Sequence, residues 1–307
     1  MHSKMYQYII RTKLIENREL NDKLSSQVFF KCDNLQETGS FKFRGAVSFA
    51  INLRPNEKES GIFIASSGNF AIAMITVCGL FGIKLNEIVL PETAKHIKID
   101  FIKKNSNANL IYYSNREDRS KKVTEVKHQT NSVYVAPSND KRFLAGYQTI
   151  IKEIWEDLKN VDCILIPVGT GALISGCALA LKEIIPNARI IGCEPENVND
   201  AYLSFHKGVL SASHHGISVA DGLIENINKH TFSIISKNVD DLITVTEEEI
   251  LSAMDYLKKK CNINVEPSSS VPVAALFKHR QRFIGKRVVI VLTGSNHEEV
   301  SPSRYLR

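Results

Sequence analysis

Cys163-Ile164-Leu165-Ile166-Pro167-Val168-Gly169-Thr170-Gly171-Ala172-Leu173-Ile174-Ser175-Gly176 holds the strongest clue to architecture in this 307-residue chain. An apolar run of strand length ends at Val168 and passes at once into small residues, then into a helical pattern. Small residues at such a turn let backbone amides approach an anion, and the helix start adds a favourable dipole. A phosphate group is the expected guest. The turn is also a loose dinucleotide-binding fingerprint, with Glu194 at the end of the next strand available to a ribose hydroxyl.

Working outward, short apolar runs alternate with helical patterns. Strands are expected at Val28–Lys31, Gly61–Ala65, Glu87–Leu90, Leu110–Tyr113, Val133–Ala136, Cys163–Val168, Arg189–Cys193 and Arg287–Leu292. Helices are expected over Phe70–Phe81 and Gly146–Leu158, where Ile150, Ile151, Ile154, Trp155 and Leu158 share a face. Thr93 is the expected N-cap of a helix running through Ile97 and Phe101. Strand–helix alternation predicts an α/β fold of mostly parallel, helix-covered sheets. Ligands in such sheets bind at the carboxyl ends of strands. Two further glycine turns follow strands in this way: Ser66-Ser67-Gly68-Asn69 and Thr293-Gly294-Ser295-Asn296.

The chain is long for one hydrophobic core, so two lobes are expected. The expected partition is a discontinuous large domain of residues 1–52 and 138–307, with a small α/β domain of 53–137 inserted without a flexible linker. Hydrophobic content of 43% with 23% charged residues is ordinary for a globular protein. The 39 basic and 33 acidic side chains leave +6. The excess is dispersed, and its densest runs (Lys121-Lys122, Lys258-Lys259-Lys260) read as solvated helix faces, so no nucleic-acid partner is expected. No run nears the ~18 apolar residues of a membrane span. The N-terminus lacks a signal peptide's apolar stretch. Cys32, Cys78, Cys163, Cys177, Cys193 and Cys261 have no paired spacing and read as reduced thiols, which points to the cytoplasm. His206, His214 and His215 read as loop residues without a second ligand cluster.

Lys42 lies in Thr38-Gly39-Ser40-Phe41-Lys42-Phe43-Arg44-Gly45-Ala46, between two phenylalanines and bracketed by glycines. A lone lysine is usually a solvated charge, but this setting suggests burial. Desolvation lowers a lysine's pKa and makes its amine a nucleophile.

Lys31-Cys32-Asp33-Asn34-Leu35-Gln36 running into Thr38–Ala46 resembles the lysine segment of the threonine dehydratase and serine racemase family, fold type II pyridoxal-phosphate enzymes. Ser66–Asn69 is similar to that family's asparagine loop and Gly169–Leu173 to its phosphate cradle. Asp221-Gly222, Val265-Glu266-Pro267 and Thr293–Asn296 resemble later motifs in the same order, so coverage runs from about Arg11 to Asn296.

The resemblance implies a two-lobed fold and pyridoxal 5′-phosphate carried as a Schiff base on Lys42, which becomes the base at Cα once substrate releases it. It implies that Gly169, Thr170, Gly171, Ala172 and Leu173 hold the phosphate, and that Asn69 bonds the 3′ oxygen. Ser66, Ser67, Gly68 and Asn69 would bind the amino-acid substrate, its carboxylate falling to the first three. Thr293 would offer a neutral hydroxyl to the ring nitrogen. A hydroxyl there leaves the ring a shallower electron sink than a carboxylate would, which favours β-elimination over transamination. Glu194, Val198 and Asp200 are similar to a divalent-cation loop, whose oxygen donors suit magnesium or calcium; a strand end followed by an acidic helix cap is the other reading. A homodimer is implied in the same way.

Departures are Lys13, where the family has proline, Phe70 for a histidine after the asparagine, and Thr170 with Ala172 in place of cradle glycines. Phe70 is expected to make the substrate pocket more apolar. The expected activity is dehydration of a β-hydroxy amino acid to a 2-oxo acid and ammonia. Ser67, alanine in many threonine dehydratases, either only donates to the carboxylate or acts as a second acid/base, which keeps serine racemase and 3-hydroxyaspartate dehydratase as alternatives. Cysteine synthase-like β-replacement and a non-catalytic cofactor-binding protein are the further alternatives. With only Glu298–Arg307 after the last motif, no C-terminal regulatory domain is expected.

Overall fold

Ten strands form two sheets among the described residues of this computed structural model, which are 2–94, 96–211 and 216–296. In chain order they are β1 (Leu14–Glu16), β2 (Gln27–Cys32), β3 (Ile62–Ala65), β4 (Leu85–Pro91), β5 (Asn109–Tyr113), β6 (Val133–Val135), β7 (Cys163–Pro167), β8 (Arg189–Pro195), β9 (Asp241–Val245) and β10 (Arg287–Leu292). The larger sheet runs β1-β2-β10-β7-β8-β9 and the smaller β5-β4-β3-β6. Only the β1–β2 pair is antiparallel. In the central register Ile290 of β10 stands between Phe30 of β2 and Leu165 of β7.

Parallel sheets are covered on both faces, so their strands are apolar throughout rather than alternating. β3 and β7 follow this rule and are buried at every position. One core cluster joins the sheets, with Ile62, Ile64 and Ile88 from the smaller and Ile164, Ile166, Val289 and Val291 from the larger. A second lies on the far face of the larger sheet against Glu247–Cys261 and Pro267–Lys278. Phe63, Ala65, Val89 and Val126 cover the far face of the smaller sheet. Among the described residues no helix is long and apolar enough to cross a membrane.

A charged cluster sits inside this apolar frame. Arg44 is fully buried; its Nε donates to Asp33 Oδ2 at 2.7 Å and its Nη1 to Glu153 Oε1 at 2.6 Å. Lys31, also fully buried, donates to Glu153 Oε2 at 2.5 Å and to the Thr12 carbonyl at 2.6 Å. Two cations and two carboxylates thus cancel where water is absent, the condition under which buried charge is tolerated. The cluster joins β2, the helix Lys141–Asp157 and the helix Lys42–Ile51, so it fixes the backbone that carries Lys42.

The eight strands expected from sequence are present with small boundary shifts, whereas β1 and β9 were not expected. Thr93 is not a helix cap: the helix spans His96–Asn105, and Thr93 lies in the turn closed by Ala94 N–H to Pro91 O. His206 is not a loop residue either. It lies in the helix Asp200–Lys207, between Tyr202 and Phe205, and its Nε2 donates to the Leu242 carbonyl at 3.1 Å. His214 and His215 lie outside the described residues, as does Glu298–Arg307.

Candidate active site

The strand ends of both sheets lead into helices that begin at one cleft. Asn69–Phe81 starts after β3, Ala172–Ile184 after β7, and Lys42–Ile51 soon after β2. A fourth helix, Pro267–Lys278, begins beside them. None of these four starts has a side-chain cap. Five other helices are capped by Asn17, Asn115, Asp140, Asn228 and Thr246, which accept from first-turn amides, while Pro55–Ser60 and Asp200–Lys207 also lack a cap bond. At Lys42–Ile51 the Phe43 and Arg44 amides are taken by Ser40 O and Phe41 O, whereas a start such as that of Ala172–Ile184 leaves backbone donors and a positive dipole end to a guest.

At the cradle, Gly171 has φ +78°, a left-handed conformation that favours glycine, and the first backbone bond of its helix is Ser175 N–H to Gly171 O. The amides before Ser175 therefore have no intrahelical acceptor. Gly169 lies against the segment Asp221–Leu223: a Cβ there would meet Leu223 Cα at 3.0 Å and Gly222 O at 3.1 Å. Gly222 N–H donates to Ser268 Oγ at 3.1 Å, and Ser269 Oγ accepts from Thr293 N–H at 2.7 Å. Two neighbouring serines thus link the cradle to the Thr293 turn. That turn pairs with the lysine segment through the Ser40–Gly294 bridge and the Phe41 N–H to Thr293 O bond.

Lys42 is the first residue of its helix, and its Nζ lies 4.6 Å from the Phe41 ring centre. Among the described residues it has no carboxylate or hydrogen-bond partner. Burial pulls its pKa down to about 8, against a smaller opposing pull from Glu266. An unpaired, desolvated amine of this kind is a ready nucleophile and base.

Asn69 Nδ2 donates to Glu266 Oε1 at 2.8 Å and to Oε2 at 2.9 Å, and Asn69 Oδ1 accepts from Asn296 Nδ2 at 3.1 Å. Burial raises the pKa of Glu266. Ser66, Ser67 and Gly68 remain partly exposed on the loop before Asn69, where Gly68 N–H donates to Ser66 Oγ at 3.2 Å. Phe70 is turned into the core, edge-on to Phe143 with ring centres 5.6 Å apart, so it does not add the apolar pocket surface expected from sequence. Ion pairs tie the helices His96–Asn105 and Arg116–Gln129 to the segment that follows Ala220, Lys98 to Asp221 at 3.6 Å and Arg119 to Glu225 at 3.2 Å. Glu266, Ser268, Ser269, Lys98 and Arg119 were given no role from sequence. The Val-Glu-Pro motif was the one signal pointing at Glu266.

Glu194 is fully buried and accepts from the amides of Ala201 and Tyr202 at 3.3 and 2.7 Å. Its pKa is pushed well up by burial and by nearby Asp200. Such a side chain is closed to a ribose hydroxyl, which removes the dinucleotide reading of Glu194.

The profile described as pyridoxal-phosphate dependent enzyme matches residues 5–294. The chain belongs to this family. As a fold type II pyridoxal-phosphate enzyme it is similar to a β-hydroxyaspartate dehydratase of Paracoccus denitrificans, 35% identical over 96% of this chain and 93% of the relative. It is similar to an L-threonine ammonia-lyase of Thermotoga maritima, 34% identical over 93% of this chain and 71% of the relative. Among solved structures, maize serine racemase superposes with a TM-score of 0.89 at 30% identity, covering 97% of this chain and 92% of that one. The family's cofactor is pyridoxal phosphate, and the open helix starts around an unpaired lysine suit a phosphorylated aldehyde.

Proposed function

We propose that this pyridoxal-phosphate lyase dehydrates a β-hydroxy amino acid, releasing a 2-oxo acid and ammonia. The observation that carries the proposal is Lys42, half-buried without a salt-bridge partner beside the Thr293 turn and within the electrostatic reach of Glu266, which holds Asn69. Gly169, Thr170, Gly171, Ala172 and Leu173 would hold the cofactor's phosphate, Asn69 its 3′ oxygen and Thr293 its ring nitrogen. When bound, the cofactor supplies an electron sink for the Cα–H bond. Lys42 takes the proton from Cα, while Ser66, Ser67, Gly68 and Asn69 orient the substrate, the first three at its carboxylate. The β-hydroxyl then leaves as water with the proton that Lys42 accepted, and hydrolysis of the resulting enamine gives the oxo acid and ammonia. Substitution Lys42→Ala should abolish both the yellow cofactor band and oxo-acid release from serine, threonine and 3-hydroxyaspartate; undiminished turnover would refute the role.

A racemase reading is favoured by Ser67, a hydroxyl on the partly exposed loop. Chiral analysis of L-serine incubations decides it, and absence of D-serine at all times removes it. For the cation, the Glu194 and Asp200 carboxylates with the Val198 carbonyl are a hard-oxygen set. Among the described residues no group of three or more His, Cys, Asp or Glu side chains is placed to hold a metal ion, so this loop would bring two carboxylates only. A melting temperature unmoved by magnesium, calcium or chelator counts against it. Six free cysteines, five of them buried, support a reducing, cytoplasmic setting. A homodimer with a small unit of 53–137 completes the proposal.

A further inference from the structure

We infer that Glu266 is a positioning residue that fixes the side-chain amide of Asn69, so that an N–H and not a carbonyl faces the cofactor's 3′ oxygen; the inference rests on the proposed function. A primary amide has one acceptor oxygen and two N–H donors, and only its neighbours decide which end points where. On one side of Asn69 stands a carboxylate, both of whose oxygens lie within 2.9 Å of Nδ2. On the other stands the Asn296 amide nitrogen, a pure donor, 3.1 Å from Oδ1 and also bonded to the Thr38 carbonyl at 2.7 Å. Rotating the Asn69 amide by half a turn would set oxygen against carboxylate and nitrogen against nitrogen. Both neighbours therefore select the same orientation. With Oδ1 taken by Asn296 and a single forked N–H spanning both Glu266 oxygens, the second N–H is the group left for the cofactor.

Glu266 is itself held in place. Its backbone N–H donates to Gly294 O at 3.0 Å, and it is 7% exposed. Its side chain occupies space that only glycine leaves open, since a Cβ on Gly294 would lie 2.4 Å from Glu266 Oε1. The Gly294 turn thus serves the carboxylate as well as the ring-nitrogen side of the site. A donor at the 3′ oxygen favours its ionised form, and with it the long-wavelength band of the bound cofactor over the near-ultraviolet band.

The test is a double-substitution cycle read by absorbance on holoenzyme, with melting of the cofactor-free protein as the folding check. Glu266→Gln keeps the shape but places a donor beside Asn69, so the amide loses its preferred orientation. The ratio of long-wavelength to near-ultraviolet absorbance should fall about fivefold, the worth of one net hydrogen bond. In an Asn69→Ala background the same change should have no further effect, because Glu266 acts through that amide. If glutamine disturbs folding, Glu266→Asp, which keeps the charge but shortens the reach, is read in the same way. An unchanged ratio, or an equal shift with and without Asn69, overturns the inference. Wild-type protein that never acquires the yellow band would instead overturn the proposed function.

Discussion

Lys31 and Lys42 flank one short segment beside the larger sheet, and the protein treats them in opposite ways. Lys31 points into the core and meets Glu153 at 2.5 Å and a backbone carbonyl at 2.6 Å, inside a cluster where Arg44 and Asp33 complete the charge balance. Lys42 is half-buried without an anion of its own, and loss of solvation brings its pKa to about 8. Pairing turns the first amine into a structural tie. Withholding a partner makes the second reactive. The difference shows that burial alone does not make a lysine functional; what counts is whether the fold also supplies a counter-ion.

The comparison predicts substitutions of opposite sign. Lys31→Met breaks a buried pair and should lower stability by about 3–5 kcal/mol, read from the urea midpoint of the cofactor-free protein. A small effect would mean that Arg44 alone can balance the cluster. Lys42→Met removes a half-buried charge without a salt-bridge partner, and should stabilise the cofactor-free protein at pH 7 by on the order of 1–2 kcal/mol, part of the effect being screened by solvent. The sign follows from proton binding. With a native pKa near 8 against 10.5 for a free lysine, the unfolded chain binds more protons between those values, so wild-type stability rises with pH across that window. The advantage of Lys42→Met is therefore full below pH 8 and should vanish towards pH 10.5.

Cofactor capture gives a third and smaller test. The neutral amine is the reactive form, so the growth rate of the yellow band in cofactor-free protein should rise roughly tenfold from pH 7 to pH 9 and then level off. A rate still climbing steeply beyond pH 10 would place Lys42 among ordinary lysines. Smallest of all is an exposed control. Lys259 pairs with Asp255 at 2.8 Å, but both are open to solvent, and Lys259→Ala should move stability by no more than about 0.5 kcal/mol.

Periodicity made most of the frame legible, because strands buried on both faces read as unbroken apolar runs. β1 and β9 escaped for a physical reason. β1 is a three-residue edge strand with two exposed positions, and β9 begins at Asp241 directly after Asp240 and is followed by an acidic helix start. The glycine turns, Lys42 and Asn69 could be named because their chemistry is local. Glu266 could not be given a role, since its partner Asn69 is 197 residues away in sequence. The Arg44–Asp33–Glu153–Lys31 cluster was hidden by the sound rule that charged residues are solvated.

The four uncapped helix starts carry one more consequence. If a bound cofactor completes them, as the proposed function has it, the chain is least well tied there when the cofactor is scarce. Proteases act on such briefly opened segments. The amount of this protein in a cell should therefore follow nutrient supply, with no regulatory circuit needed to link the two.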